Sequence, residues 1–187
     1  MISLVFLELI NNRRRIINES FFDLDGVLAN FNKGVEDLCG IPRLDQTTCS
    51  EEADTKMWNA VREVEHFYYK LELMPGAKEL FDATSLMEGV TCEILTAIPK
   101  EKRGILNAGI DKTNWVHDKI NQNVKVNICY KEEKMKKCTG KDCILIDDLL
   151  PNIQAWEEAG GTGILFTGSE AALDQIREFH KKIQTML

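Results

Sequence analysis

Residues 21–31 read FFDLDGVLANF. Phe21 and Phe22 lead into Asp23 and Asp25, one residue apart, then Gly26 and a further apolar run. The pattern is that of a buried strand ending in two carboxylates. Like charges at that spacing repel, and taking them out of water costs several kcal/mol unless a cation stands between them. The stretch is therefore either an exposed turn, since Asp and Gly are common turn residues, or a site built to hold a positive ion. A calcium loop of the EF-hand type is excluded, because Val27 and Gly34 stand where that loop needs acids.

Downstream the chain alternates strand and helix patterns. VTCEILTA (90–97), VKVNICY (124–130), DCILIDD (142–148) and TGILF (162–166) read as strands. Between them, 100–108 and 112–120 read as helices, with Asp111 as a cap for the second. PNIQAWEEAGG (151–161) reads as a helix with Pro at its start and Gly at its end, and MPGA (74–77) starts another, with Pro75 near its first turn. Residues 169–185 form a last amphipathic helix with Leu173, Ile176, Phe179 and Ile183 inward. Residues 32–73 are polar and helix-prone, with Met57, Val61, Val64 and Tyr68 at helical spacing and Trp58 and Phe67 alongside. Continuous apolar strands alternating with helices imply an α/β fold with a parallel sheet covered on both faces. Ligands of such sheets bind beyond the carboxyl ends of the strands.

At 187 residues and 44% hydrophobic content, the sequence supports one domain with a modest insertion. A net charge of −7 argues against nucleic-acid polymers and anionic membranes as partners. The six cysteines show no CxxC spacing, which points to free thiols in a reducing cytoplasm rather than a zinc site. Residues 1–20 carry a short apolar run interrupted by Glu8 and followed by Arg13–Arg15; they fit neither a signal peptide nor a membrane span.

Three strands end in polar chemistry, at Asp23 and Asp25, at Thr96, and at Asp147 and Asp148. Each feature alone has a plain structural explanation: a turn, a strand end, a helix cap. Lys131, Lys134, Lys136 and Lys137 form a run that reads as a solvated turn, from which one lysine can reach the same crevice. Together the parts make chemical sense. Carboxylates hold Mg²⁺, a hard cation that shares phosphate oxygens. Lysine and threonine hold the remaining phosphate oxygens, and a carboxylate attacks phosphorus to form an acyl phosphate.

In order, DLDG (23–26), LT (95–96), a lysine and DD (147–148) resemble the four motifs of the haloacid dehalogenase superfamily of aspartate-nucleophile phosphatases. FYYKLELMPGA, NWVHDKI and CILIDDLLPNI, with DLDGVLANF, are similar to its 5′(3′)-deoxyribonucleotidase branch, over residues 21–155. The resemblance implies a Rossmann-like three-layer core (1–31 and 74–187) with a small helical cap (32–73). It implies Asp23 as nucleophile and Asp25 as acid and base. Mg²⁺ is implied on Asp23, the Asp25 carbonyl and Asp148, with Asp147 alongside. Thr96 and Lys137 are implied on the phosphate; the lysine falls ten residues before the acid pair, with Lys136 and Lys141 as neighbours. Phe31 matches an aromatic that stacks on the base, with Tyr68 assisting; the structural alternative for Phe31 is a core position. Leu149 stands where members often carry arginine, and Ala97 lacks a hydroxyl some carry.

The function expected is a Mg²⁺-dependent phosphatase of nucleoside monophosphates, deoxyribonucleotides first, in the cytoplasm. The alternatives are the same chemistry on another small monoester such as a sugar phosphate, or a non-catalytic binder of a phosphorylated ligand. Apolar cap residues of this kind often pair in a homodimer.

Overall fold

The computed structural model describes residues 18–42 and 48–185; the reading of residues 1–17 lies outside them. Among the described residues, five parallel strands make one sheet in the order β3-β2-β1-β4-β5. They are β1 (Asn18–Phe22), β2 (Val90–Ala97), β3 (Val126–Cys129), β4 (Cys143–Asp147) and β5 (Thr162–Leu165). Successive side chains point to opposite faces, so β1, β2 and β4 each feed two cores. Phe22, Ile94, Ile144 and Ile146 pack in the larger cluster, and Phe21, Leu95, Cys143 and Leu145 in the smaller. The sheet is an α/β, Rossmann-like core, as the uninterrupted apolar strands demand.

The helices are α1 (Phe31–Cys39), α2 (Glu51–Glu63), α3 (Ala77–Ser85), α4 (Ala108–Lys119), α5 (Leu150–Glu158) and α6 (Ser169–Thr185). Pro75 lies ahead of α3, whose N-cap is Gly76 in the left-handed region (φ 71°). Residues 100–108 do not form the expected helix. A 3₁₀ turn, Glu101–Arg103, ends at Gly104 with φ 69°. A glycine in that conformation closes a turn readily and stops helix propagation. Helix α4 instead starts after Asn107, so Asp111 lies in its first turn and not at its cap. Its inner face carries Ala108, Lys112, Trp115 and Val116, all buried.

The segment between the DLDG turn and α3 leaves and rejoins the sheet at one neck. Ala29 bridges Leu73 in antiparallel fashion, the Asn30 N–H donates to Glu72 O at 2.8 Å, and the Met74 N–H to Leu28 O at 2.8 Å. Val35, Met57, Val61, Phe67 and Leu71 from this segment share the large core with Leu24, Leu28 and Trp115. Trp115 anchors the join, since its indole N–H donates to Leu71 O at 2.8 Å. No helix among the described residues is long and apolar enough to cross a membrane.

Candidate active site

The strand order runs outward from β1 to β3 on one side and resumes at β4 on the other. The reversal falls between β1 and β4, and a crevice opens there beyond the carboxyl ends of the strands. Asp23 follows β1, Asp147 ends β4, and Phe22 lies in register with Ile146. The Asp23 N–H donates to Ile146 O at 2.9 Å, which locks the two strand ends together. The acids remote in sequence therefore meet because their strands are neighbours.

Gly26 makes room for the fourth carboxylate. Its φ is 81°, and a β-carbon there would lie 2.2 Å from Asp148 Oδ2. Only glycine allows this turn and this approach together. Oxygens of Asp23, Asp147 and Asp148 lie within 4.8 Å of one another. Burial first, then the charges of Asp23, Asp147 and Asp25, push the Asp148 carboxyl up to about 7. Burial likewise raises Asp23 to about 6; Lys134 opposes the rise, and Asp147 and Asp25 add to it.

Lys134, not Lys137, enters this cluster. Its ammonium is 2.8 Å from Asp23 Oδ1 and 2.7 Å from Asp147 Oδ2. Burial works to lower its pKa, and the Asp23 and Asp147 charges outweigh that and raise it. Residues 131–137 form 3₁₀ turns, where side chains three apart eclipse at about 6 Å of rise. Lys131, Lys134 and Lys137 thus share one edge. The middle one faces the acids, and Lys137, exposed, lies a turn beyond. Lys136 pairs with Glu133 at 3.0 Å, and Lys141 is exposed on the loop entering β4.

A second buried lysine was not foreseen. Lys112 is fully buried and donates to Asp25 Oδ2 at 2.6 Å, Thr96 Oγ1 at 3.0 Å and Ala97 O at 2.6 Å. Its sequence signal is faint: it shares the inner face of α4 with Ala108, Trp115 and Val116. Thr96 is fully buried and is not among the residues lining the cavity, because the Lys112 ammonium occupies its hydroxyl. The helix expected over 100–108 is only the 3₁₀ turn Glu101–Arg103 here, so no α-helix N-terminus follows directly on β2.

The crevice opens into a cavity of about 520 Å³ whose walls include Asp25, Trp58, Ile98, Lys134 and Asp148. Phe31 and Tyr68 also reach it, but they are 3% and 1% exposed. Their rings pack on each other at 6.2 Å, and Phe31 also meets Phe67 at 5.6 Å and Trp58 at 5.9 Å. The Lys112 ammonium stands 4.6 Å from the centre of the Tyr68 ring. Both aromatics are core residues whose ring faces are occupied, which corrects the expectation that they stack on a base. Trp58 is the half-buried aromatic of the wall. Its N–H donates to Asp54 Oδ1 at 2.9 Å, Asp54 pairs with Arg103, and the Arg103 guanidinium lies 5.8 Å from the Trp58 ring centre. Helix α2 is thereby tied to the turn after β2.

No protein-family model and no curated protein sequence matches the chain. Solved structures do. A hydrolase from Streptococcus pneumoniae TIGR4 superposes with a TM-score of 0.50 at 16% identity, covering 87% of this chain and 99% of that one. A haloacid dehalogenase-like family hydrolase, SP0104 from Streptococcus pneumoniae, gives 0.51 at 15% identity, covering 86% and 90%. The chain has the fold of haloacid dehalogenase-like hydrolases.

The donor set of this haloacid dehalogenase-like fold suits a hard divalent cation. Asp23, Asp25, Asp147 and Asp148 face two buried ammonium groups, Lys112 and Lys134, an excess of two negative charges when all are ionised. The oxygens are not equally free. Asp147 Oδ2 takes Lys134, and its Oδ1 accepts from the Leu149 N–H at 2.9 Å and from Asn152 Nδ2 at 2.9 Å. It braces the cluster. Asp148 has no ion pair among the described residues and offers its carboxylate outright. The Asp25 carboxylate pairs with Lys112 and lies outside the close cluster that the other three form.

Proposed function

We propose that the chain is a Mg²⁺-dependent phosphatase of small phosphate monoesters, nucleoside monophosphates first, acting through a phosphoryl group carried on Asp23. The observation that carries this reading is the set of Asp23, Asp147, Asp148 and Lys134 at the switch point of the sheet. A carboxylate raised to about 6 by burial is ionised at neutral pH, yet poorly solvated, and such an oxygen is a competent nucleophile. Asp23 and Asp148, with the Asp25 carbonyl, would hold the cation, and Asp147 would brace them. Bound there, the cation supplies the positive charge that lets a phosphate approach carboxylates.

The chain's own residues then divide the work. Asp23 forms a bond to phosphorus as the bond to the alcohol oxygen breaks, and Asp25 gives that oxygen its proton. In the second half, Asp25 takes a proton from water. The water oxygen attacks phosphorus, phosphate leaves, and Asp23 is restored. Lys112 fixes Asp25 through Oδ2, leaving Oδ1 without a partner among the described residues and available for the proton. Lys134 offsets charge on Asp23 and on the phosphoryl group. The buried Thr96 hydroxyl accepts from Lys112 and so helps to hold that ammonium against Asp25, rather than meeting the phosphate itself.

The nucleoside preference rests on the size of the cavity, which is ample for a nucleoside, and on Trp58 as a flat apolar wall. Phosphate release should be assayed over deoxynucleoside, ribonucleoside and sugar monophosphates, with Mg²⁺ and with chelator, beside Asp23→Asn. Turnover that needs Mg²⁺ and vanishes in the variant is expected. Faster turnover of sugar phosphates would move the substrate class, and binding without turnover would defeat the enzyme reading.

A further inference from the structure

We propose that the Tyr68 hydroxyl is a second hydrogen-bond donor to the departing alcohol oxygen, acting beside Asp25; this rests on the phosphatase reading above. The starting point is a pair of orphan atoms. Tyr68 Oη and Asp25 Oδ1 are both buried, and neither has a hydrogen-bond partner among the described residues. Both residues line the same cavity. A buried polar atom without a partner is costly, so two of them on residues of one cavity wall call for a shared explanation.

The ring of Tyr68 is not free to serve in another way. It packs on Phe31, meets Phe67 edge-on at 5.3 Å and carries the Lys112 ammonium at 4.6 Å. Its residue is 1% exposed, so no ring face is offered to a ligand. The three-residue 3₁₀ turn Tyr68–Lys70 and the Trp115 bond to Leu71 fix the backbone beneath it. What remains is the hydroxyl, held rigidly near Asp25, whose charge adds to burial in raising the phenol's pKa well above 10.0. At neutral pH the group is an intact O–H, able to donate.

One substrate atom satisfies both orphans. In the first half-reaction, the alcohol oxygen takes the Asp25 proton as its bond to phosphorus breaks. That oxygen carries developing negative charge and has a lone pair free to accept from Tyr68 Oη. Tyr68 keeps its proton throughout. A fixed donor at a developing alkoxide acts in the transition state more than in the ground state.

Tyr68→Phe removes this one oxygen. The test measures kcat/KM, which reports the step in which the alcohol leaves, for two esters: a nucleoside 5′-monophosphate and p-nitrophenyl phosphate. The alkyl ester leaves as a strong base and needs the donor; nitrophenolate does not. The variant should lose about tenfold to a hundredfold on the nucleotide and less than about threefold on the nitrophenyl ester. The ligand-free variant should melt no lower than the parent, since the oxygen it lacks was unpaired. Equal losses on the two esters, no loss on either, or a lowered melting temperature without ligand would each overturn the inference while leaving the phosphatase reading intact. A parent protein that hydrolyses neither ester would overturn the phosphatase reading, and with it this inference.

Discussion

Asp148→Asn should make the metal-free protein more stable while destroying its use for a divalent cation. Burial and the charges of Asp23, Asp147 and Asp25 hold the Asp148 carboxyl at about 7, against 3.8 for a free one. The sign follows from linkage. The folded state binds this proton more tightly than the unfolded chain, so stability is lost as pH rises from about 4 and the loss is complete above about 7. At pH 8 the full displacement corresponds to roughly 4 kcal/mol. The neighbouring acids share that cost, so neutralising one of them recovers about 2 kcal/mol. For a chain of this length that is a rise of about 4–8 °C in Tm in the presence of chelator. The gain should shrink steadily as pH falls toward 4. With Mg²⁺ at a hundred times its Kd, the parent should gain about 2.7 kcal/mol, and the variant nothing comparable. Thermal melts at pH 5 and pH 8, with chelator and with Mg²⁺, read all of this. A variant that melts lower than the parent in chelator at pH 8, or one that keeps the Mg²⁺ shift, would refute the view that these carboxylates are held together for a cation.

Gly26→Ala places a β-carbon 2.2 Å from Asp148 Oδ2 at a φ of 81°; stability should fall by more than about 1 kcal/mol, read as a lower Tm, and the Mg²⁺ shift should go with it. Lys112→Met keeps the volume and removes the charge that fixes Asp25; phosphate release should fall about a hundredfold, while the Mg²⁺ shift in Tm persists because Lys112 does not touch Asp23 or Asp148. The His66 ring, 2.8 Å from Asp111 Oδ1, has its pKa raised above 6.5 by that hydrogen bond. Its contribution should be full below 6.5 and lost as pH rises through the raised value; an NMR titration of the ring that shows no elevation would remove this tie between α4 and the segment preceding α3.

The sheet and the acid cluster were legible because each rests on a strong local pattern. An apolar run that stops at carboxylates marks a strand end, and strands that alternate with helices are parallel, so their acids gather at one edge. The lysine was not legible by counting. A spacing of ten residues before the acid pair points to Lys137, but the segment coils as 3₁₀ turns, and the turn rather than the spacing decides that Lys134 faces inward. Lys112 was hidden for the opposite reason. Lysine in a helix is usually exposed, and only the packing of α4 through Trp115 shows that this one is buried. The expected helix at 100–108 failed because Gly104 takes the left-handed region, overriding the helix propensity of the Glu and Lys before it. Phe31 and Tyr68 matched an aromatic pattern, yet aromatic identity says nothing about which face is free, and here none is.

A chain with net charge −7 repels phosphate at long range, so any attraction must be local and must exceed the repulsion of the acids nearest to it. Lys134 and Lys112 cannot supply that attraction by themselves. Each is already committed to carboxylates, the first to Asp23 and Asp147 and the second to Asp25. Their effect is instead to bring the excess down to an amount that one divalent ion can cancel. With the ion present, the lysines no longer answer for the whole acid charge, and part of their field is released toward a ligand. The buried lysines therefore set the charge of the ion the site is suited to, and such an ion, once bound, would free the lysines to meet the proposed phosphate. Neither half of the arrangement explains the burial of the other when taken alone.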